Sequence, residues 1–245
     1  MRELGFTFLF CQGAGLFLSL IPSRPAEVGK RFFVYHGVPA FSVMLLAFYW
    51  FRPQSMPVSL VWIFACFGLG FCLSMTWIRW VALVGAGLAL GRAFLGLSHG
   101  ATAPLVNFTL STLCLGFAMG AMWLGHWYLT QPKLSISELK RVTGALVGLL
   151  ILRSVWAGVQ LFPLLAPLSE PELYKYLMAT TPGLFLLMRV CWGLVLPLAL
   201  LFLVWRTLLI RSTQAATGLL YLVVLAVITG EILSHYLGAF HHLWL

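Results

Sequence analysis

The chain has 245 residues, 61% of them hydrophobic and 9% charged, with a formal net charge of +9 and a mean hydropathy of +0.98. That balance excludes a soluble globular domain, and it excludes nucleic acid as a partner, because the few Lys and Arg fall between long apolar runs. There is no Asp, and the five cysteines (Cys11, Cys66, Cys72, Cys114, Cys191) lie within apolar segments without a CxxC, so they read as small buried hydrophobes.

Eight apolar runs of about 18–27 residues follow one another, each long enough for a hydrocarbon core of about 30 Å. The expected fold is therefore an all-α polytopic membrane protein, a bundle of eight transmembrane helices forming one integral domain over 1–245. The first span covers 4–21 and is broken by Pro22, Pro25 and Gly29. Its weakly charged flank and the absence of a small-residue cleavage site favour a retained helix over a signal peptide. The second, 32–51, opens with Tyr35 and His36 and closes at Arg52-Pro53. The third covers 58–78. The fourth, 80–98, carries Gly87/Gly91 and then Gly96/Gly100 at four-residue spacing, which lets helices approach closely. The fifth, 105–129, ends in Gly125-His126-Trp127-Tyr128.

Ser135-x-x-Glu138 reads as a capping box opening the sixth span, 139–165, along which Arg153, Trp156 and Gln160 share a face. The stretch after it, from Ser169 through Glu172, reads as a short amphipathic helix outside the membrane. The seventh span, 182–205, holds Arg189 and a kink at Pro197, where a backbone hydrogen bond is lost. The eighth, 213–238, places Gln214, Thr217, Tyr221, Ile228, Glu231 and His235 along one stripe at helical spacing.

Orientation follows from the basic residues. Arg24, Lys30, Arg31, Arg79, Lys133, Lys140, Arg141, Arg206 and Arg211 fall on one side, against Arg2, Arg52 and Lys175 on the other. The richer side is cytoplasmic by the positive-inside rule, so both termini are expected in the periplasm of a bacterial inner membrane.

The intramembrane polar residues then sort by depth. His36 and His126 lie near the cytoplasmic face. Arg92, His99, Gln160, Arg189, Glu231 and His235 lie toward the outer face, with Arg153 near the middle. Each charge in a span costs at least about 2.5 kcal/mol, so it implies a partner or a task. Glu231 and His235 are four apart and therefore neighbours, while Arg92 and His99 are seven apart on another face. Three arginines against one glutamate leave room for an electron-rich or anionic guest.

The ending Gly230-Glu231 with His235-Tyr236 resembles the last helix of the membrane-anchor subunits of polysulfide, dimethyl-sulfoxide and nitrite reductases. The resemblance covers the eight-span architecture and, residue by residue, only this short stretch. It implies a respiratory oxidoreductase subunit that exchanges electrons and protons with the quinone pool beside an extrinsic iron–sulfur or cytochrome partner on the periplasmic side, among other membrane subunits. By that implication Glu231 and His235 handle quinol protons, and Arg92, Arg153, Gln160 and Arg189 hold a quinone oxygen or an acidic group.

A di-haem cytochrome b is a second expectation, since haem needs two histidines at matching depth on different helices. His36 with His126, and His99 with His235, would be the pairs; without haem no metal site is expected. A structural subunit or a small-molecule transporter is a third, although no inverted repeat is visible.

Overall fold

A computed structural model describes residues 2–51, 66, 68, 78–131 and 134–245. These residues form helices joined by short turns and loops, with no strand among them. The helices are α1 (Arg2–Leu18), α2 (Pro25–Val28), α3 (Lys30–Phe51), α4 (Ile78–Leu97), α5 (Thr102–Thr130), α6 (Ser137–Leu165), α7 (Glu170–Ala179), α8 (Thr181–Val190), α9 (Leu196–Leu209) and α10 (Thr213–His241). A π-type turn over Cys191–Val195 joins α8 to α9. The expected third span, 58–78, lies outside the described residues apart from isolated positions, as do Arg52, Cys72 and Lys133.

Five described segments are long and apolar enough to cross a bilayer: Lys30–Trp50, Thr102–Thr130, Ser137–Leu165, Thr181–Leu209 and Thr213–His241. Two shorter apolar helices, Leu4–Leu18 and Val84–Leu97, accompany them. At about 1.5 Å per residue the 29-residue helices reach about 43 Å, enough to span even with a tilt.

α5 is the hub. It packs against α1, α4, α6 and α10; α1 in turn packs on α3, and α10 on α8 and α9. The α1–α5 crossing depends on Gly15 and Gly116, since a Cβ on either would overlap the other's backbone. By contrast, among the described residues nothing lies within 4 Å of a Cβ built on Gly87, Gly91 or Gly96.

Two local expectations change. The box opening α6 does not close: Ser135 Oγ meets Ser137 Oγ at 2.8 Å and accepts the Ser137 N–H at 3.4 Å, while Glu138 turns elsewhere. Glu138 is buried and instead accepts the Arg24 backbone N–H at 3.1 Å and pairs with Arg141 at 3.0 Å, so it ties the α1–α2 connection down. The cap forms one loop later, where the Glu172 carboxylate accepts from Ser169 N–H at 2.9 Å and from Ser169 Oγ–H at 2.6 Å. These bonds hold Glu172 below the usual carboxylate range. The cap contributes above the ordinary carboxylate pKa and is lost as pH falls through the lowered value.

The stripe on α10 also drifts. Thr217, Glu231 and His235 are buried, but Gln214 and Tyr221 point outward. Steps of seven lag the 3.6-residue turn by about 20° each, which carries the distant members off the face.

Candidate functional site

Arg153 of α6, Arg189 of α8 and Glu231 of α10 meet in the bundle interior, and each is fully buried. Arg153 forms a fork on the carboxylate, Nε to Oε1 at 3.2 Å and Nη2 to Oε2 at 2.6 Å. Arg189 Nη2 donates to Oε1 at 3.0 Å. Such bidentate, charge-assisted geometry is what offsets the several kcal/mol that each buried ion loses on leaving water. The remaining Arg153 donors reach the Asn107 carbonyl at 3.3 Å and Ser234 Oγ at 3.0 Å. Ser234 Oγ–H has Asn107 Oδ1 at 3.1 Å and the Leu245 backbone oxygen as acceptors.

The backbone builds this cluster through two devices. Pro197 has no N–H for the carbonyl four residues back, and that carbonyl, Gly193, accepts from Arg189 Nη1 at 3.4 Å. The turn widens over Cys191–Val195, where the Leu196 N–H reaches back to the Cys191 carbonyl. Gly193 and Gly230 then pass at backbone contact, with Arg189 Nη1 2.7 Å from where a Cβ on either would sit. Without those two hydrogens as side chains α8 could not come close enough for Arg189 to reach Glu231.

One turn beyond Glu231, His235 is 2% exposed. Its Nε2 lies 2.9 Å from Ser111 Oγ and its Nδ1 3.5 Å from Thr7 Oγ1, so a hydroxyl stands beside each ring nitrogen. Phe108 stacks on the ring and Phe8 meets it edge-on. His235 forms part of the wall of a cavity of about 230 Å³, with Thr7, His99, Phe108, His242 and Trp244 among the other lining residues. His99 and His242 both adopt left-handed backbone, φ 50° and 57°, a conformation that non-glycine residues seldom hold and that recurs where function requires it. The segment after α10 folds back to close this end: Trp244 packs on Gly238, and its carbonyl accepts from Trp156 Nε1 at 2.9 Å.

The structure thus brings together Arg153, Arg189, Glu231 and, one turn on, His235. Arg92 points outward from α4, His99 joins the cavity wall, Gln160 is half-buried on α6, and His126 points outward from α5. His36 is buried on α3. The residues that sequence reasoning missed are Asn107, Ser111, Ser234, Thr7, Gly193 and Gly230. Ser234, three residues after Glu231, shares its helix face, and Asn107 is the chain's only asparagine; both were available signals. Among the described residues no group of three His, Cys, Asp or Glu side chains is arranged to hold a metal ion.

No family model matches the chain, and no curated protein or solved structure is significantly similar to it.

Proposed function

We propose that the chain is the integral membrane subunit of a bacterial respiratory oxidoreductase, multi-pass in the inner membrane, which exchanges electrons and protons with quinone at the end of the bundle where the His235 cavity lies. The observation that carries this reading is that cavity: apolar and aromatic walls, convergent hydroxyl and imidazole groups, and a buried Arg–Glu–Arg cluster one turn below. Its volume of about 230 Å³ falls under the roughly 300–1,000 Å³ of drug-sized pockets, so it suits a single substituted ring with its tail leaving sideways.

Both Glu231 oxygens are taken by guanidinium groups, and the carboxylate is not part of the cavity wall. The reading therefore assigns proton exchange with the guest's hydroxyl to His235, relayed through Ser111 or Thr7 Oγ. Arg153, Glu231 and Arg189 fix the helix that carries it and bias the region positive. Electrons pass to an extrinsic iron–sulfur or cytochrome partner on the periplasmic side. Haem fits less well, because hydroxyls already occupy both nitrogens of His235, and His126 is exposed on α5 while His36 is buried.

Two measurements test this. A short-chain quinone added to the purified protein should quench fluorescence saturably, with the quenched component lost in Trp244→Phe. His235→Leu should weaken that binding about tenfold, the equivalent of one hydrogen bond at about 1.4 kcal/mol. Absence of saturable quenching in the unaltered protein would remove the quinone reading. Orientation is tested separately: a reporter active only in the periplasm, fused after Leu245, should be active, as the nine-to-three basic asymmetry requires. Activity of a cytoplasmic reporter there would reverse the sides.

A further inference from the structure

A second polar site lies away from the His235 cavity, in the seam between α1, α3 and α5. His36 is 3% exposed, one turn from Ala40 on the α3 face that meets α1. Its Nδ1 lies 3.1 Å from the Phe32 carbonyl, which can only accept, so Nδ1 carries the proton and Nε2 presents a lone pair. That Nε2 is buried and has no hydrogen-bond partner among the described residues. Phe32 and Trp123 flank the ring, with centroids 3.9 and 4.7 Å away.

One more unmet group borders the same seam. Trp127, whose ring lies 5.8 Å from that of Phe32, has a buried Nε1–H without an acceptor among the described residues. Gly13 packs on Ala40 of α3, while Gly15 packs on Gly116 and Ser19 on Gly120 of α5, so the three helices enclose the seam. Natural interiors satisfy nearly all buried polar atoms, and the requirement is stricter among apolar spans, where no bulk water reaches. A free acceptor and a free donor beside one aromatic seam are complementary to a single kind of group, one that donates and accepts at once.

We propose that this seam binds a hydroxyl group, which donates to His36 Nε2 while its oxygen accepts from the Trp127 indole N–H. Water and the ring hydroxyl of a lipid-soluble phenol share that chemistry. The aromatic walls suit either, since Phe32 and Trp123 would stack on a ring and would keep a water molecule from exchanging freely. This site is independent of the quinone reading for the His235 cavity: α1 and α5 contribute to both, but Phe108 lines the cavity whereas Trp123, fifteen residues further along α5, flanks His36.

The test is nitrogen-15 resonance spectroscopy of histidine-labelled protein in bilayers of synthetic phosphatidylcholine. The His36 signal is assigned by its loss in His36→Phe. Should that variant not fold, the contact between Nδ1 and a carbon-13-labelled Phe32 carbonyl assigns it instead. The expected result is an Nε2 shift displaced toward that of a hydrogen-bonded acceptor. If the displacement is present in phenol-free bilayers, the hydroxyl is that of water. If it arises only after a short-chain hydroquinone is added, the site takes a phenol. An Nε2 at the position of an unbonded acceptor under both conditions overturns the proposal.

Discussion

Replacing Glu231 by glutamine is expected to destabilise the bundle more than any conservative change elsewhere in the chain. The amide keeps the volume of the carboxylate but leaves Arg153 and Arg189, both fully buried, without a counter-charge. Removing one partner of a buried ion pair costs about 3–5 kcal/mol, because the remaining charge is neither solvated nor compensated. Here a single carboxylate serves two guanidinium groups, so the upper part of that range is expected. The measurement is thermal unfolding in nanodiscs, accompanied by Glu231→Gln with Arg189→Gln. The double variant should recover part of the loss, since residues in one network couple by about 0.5–3 kcal/mol. Equal stability of Glu231→Gln and the unaltered protein would show that the cluster does not hold α6, α8 and α10 together. The same result would make the glutamate available again as a proton carrier.

The charges of this cluster were legible in the sequence because each stands in an otherwise apolar run, where its cost demands an explanation. Which charges meet was not legible. Arg92 and Arg189 look alike as letters in a span, yet only Arg189 enters the cluster. Arg92 lies within two turns of the end of α4, where a long side chain can reach outward to an interface. Arg189 is drawn inward by the π-type turn that follows it. Pro197 announced a break in the helix, but not that the freed Gly193 carbonyl would be taken by an arginine. The capping signal failed for a similar reason. Ser135-x-x-Glu138 satisfies the pattern, but the Arg24 backbone N–H from the α1–α2 connection and Arg141, one turn on along the same helix, engage the carboxylate instead, whereas Ser169 and Glu172, on an exposed helix, form their bond.

The glycines that place the cluster yield the second large effect. Gly230→Ala is expected to force α10 away from the turn after Arg189. The added Cβ would overlap the Gly193 backbone and lie 2.7 Å from Arg189 Nη1. Backbone cannot yield as a flexible side chain would, so overpacking of about 1–3 kcal/mol is the minimum. If the retreat also separates Arg189 from Glu231, a share of the 3–5 kcal/mol cost of a broken buried pair adds to it. The control is Gly158→Ala on α6, an outward-facing position where, among the described residues, nothing lies within 4 Å of the new Cβ. There alanine should be neutral or stabilising by about 0.5–1 kcal/mol, because glycine inside a helix surrenders more chain entropy on folding. Thermal unfolding of the two variants side by side separates the crossing from the intrinsic preference for alanine. If Gly230→Ala unfolds at or above the temperature of Gly158→Ala, the close approach of α10 to the Gly193 turn is not what places Arg189 on Glu231.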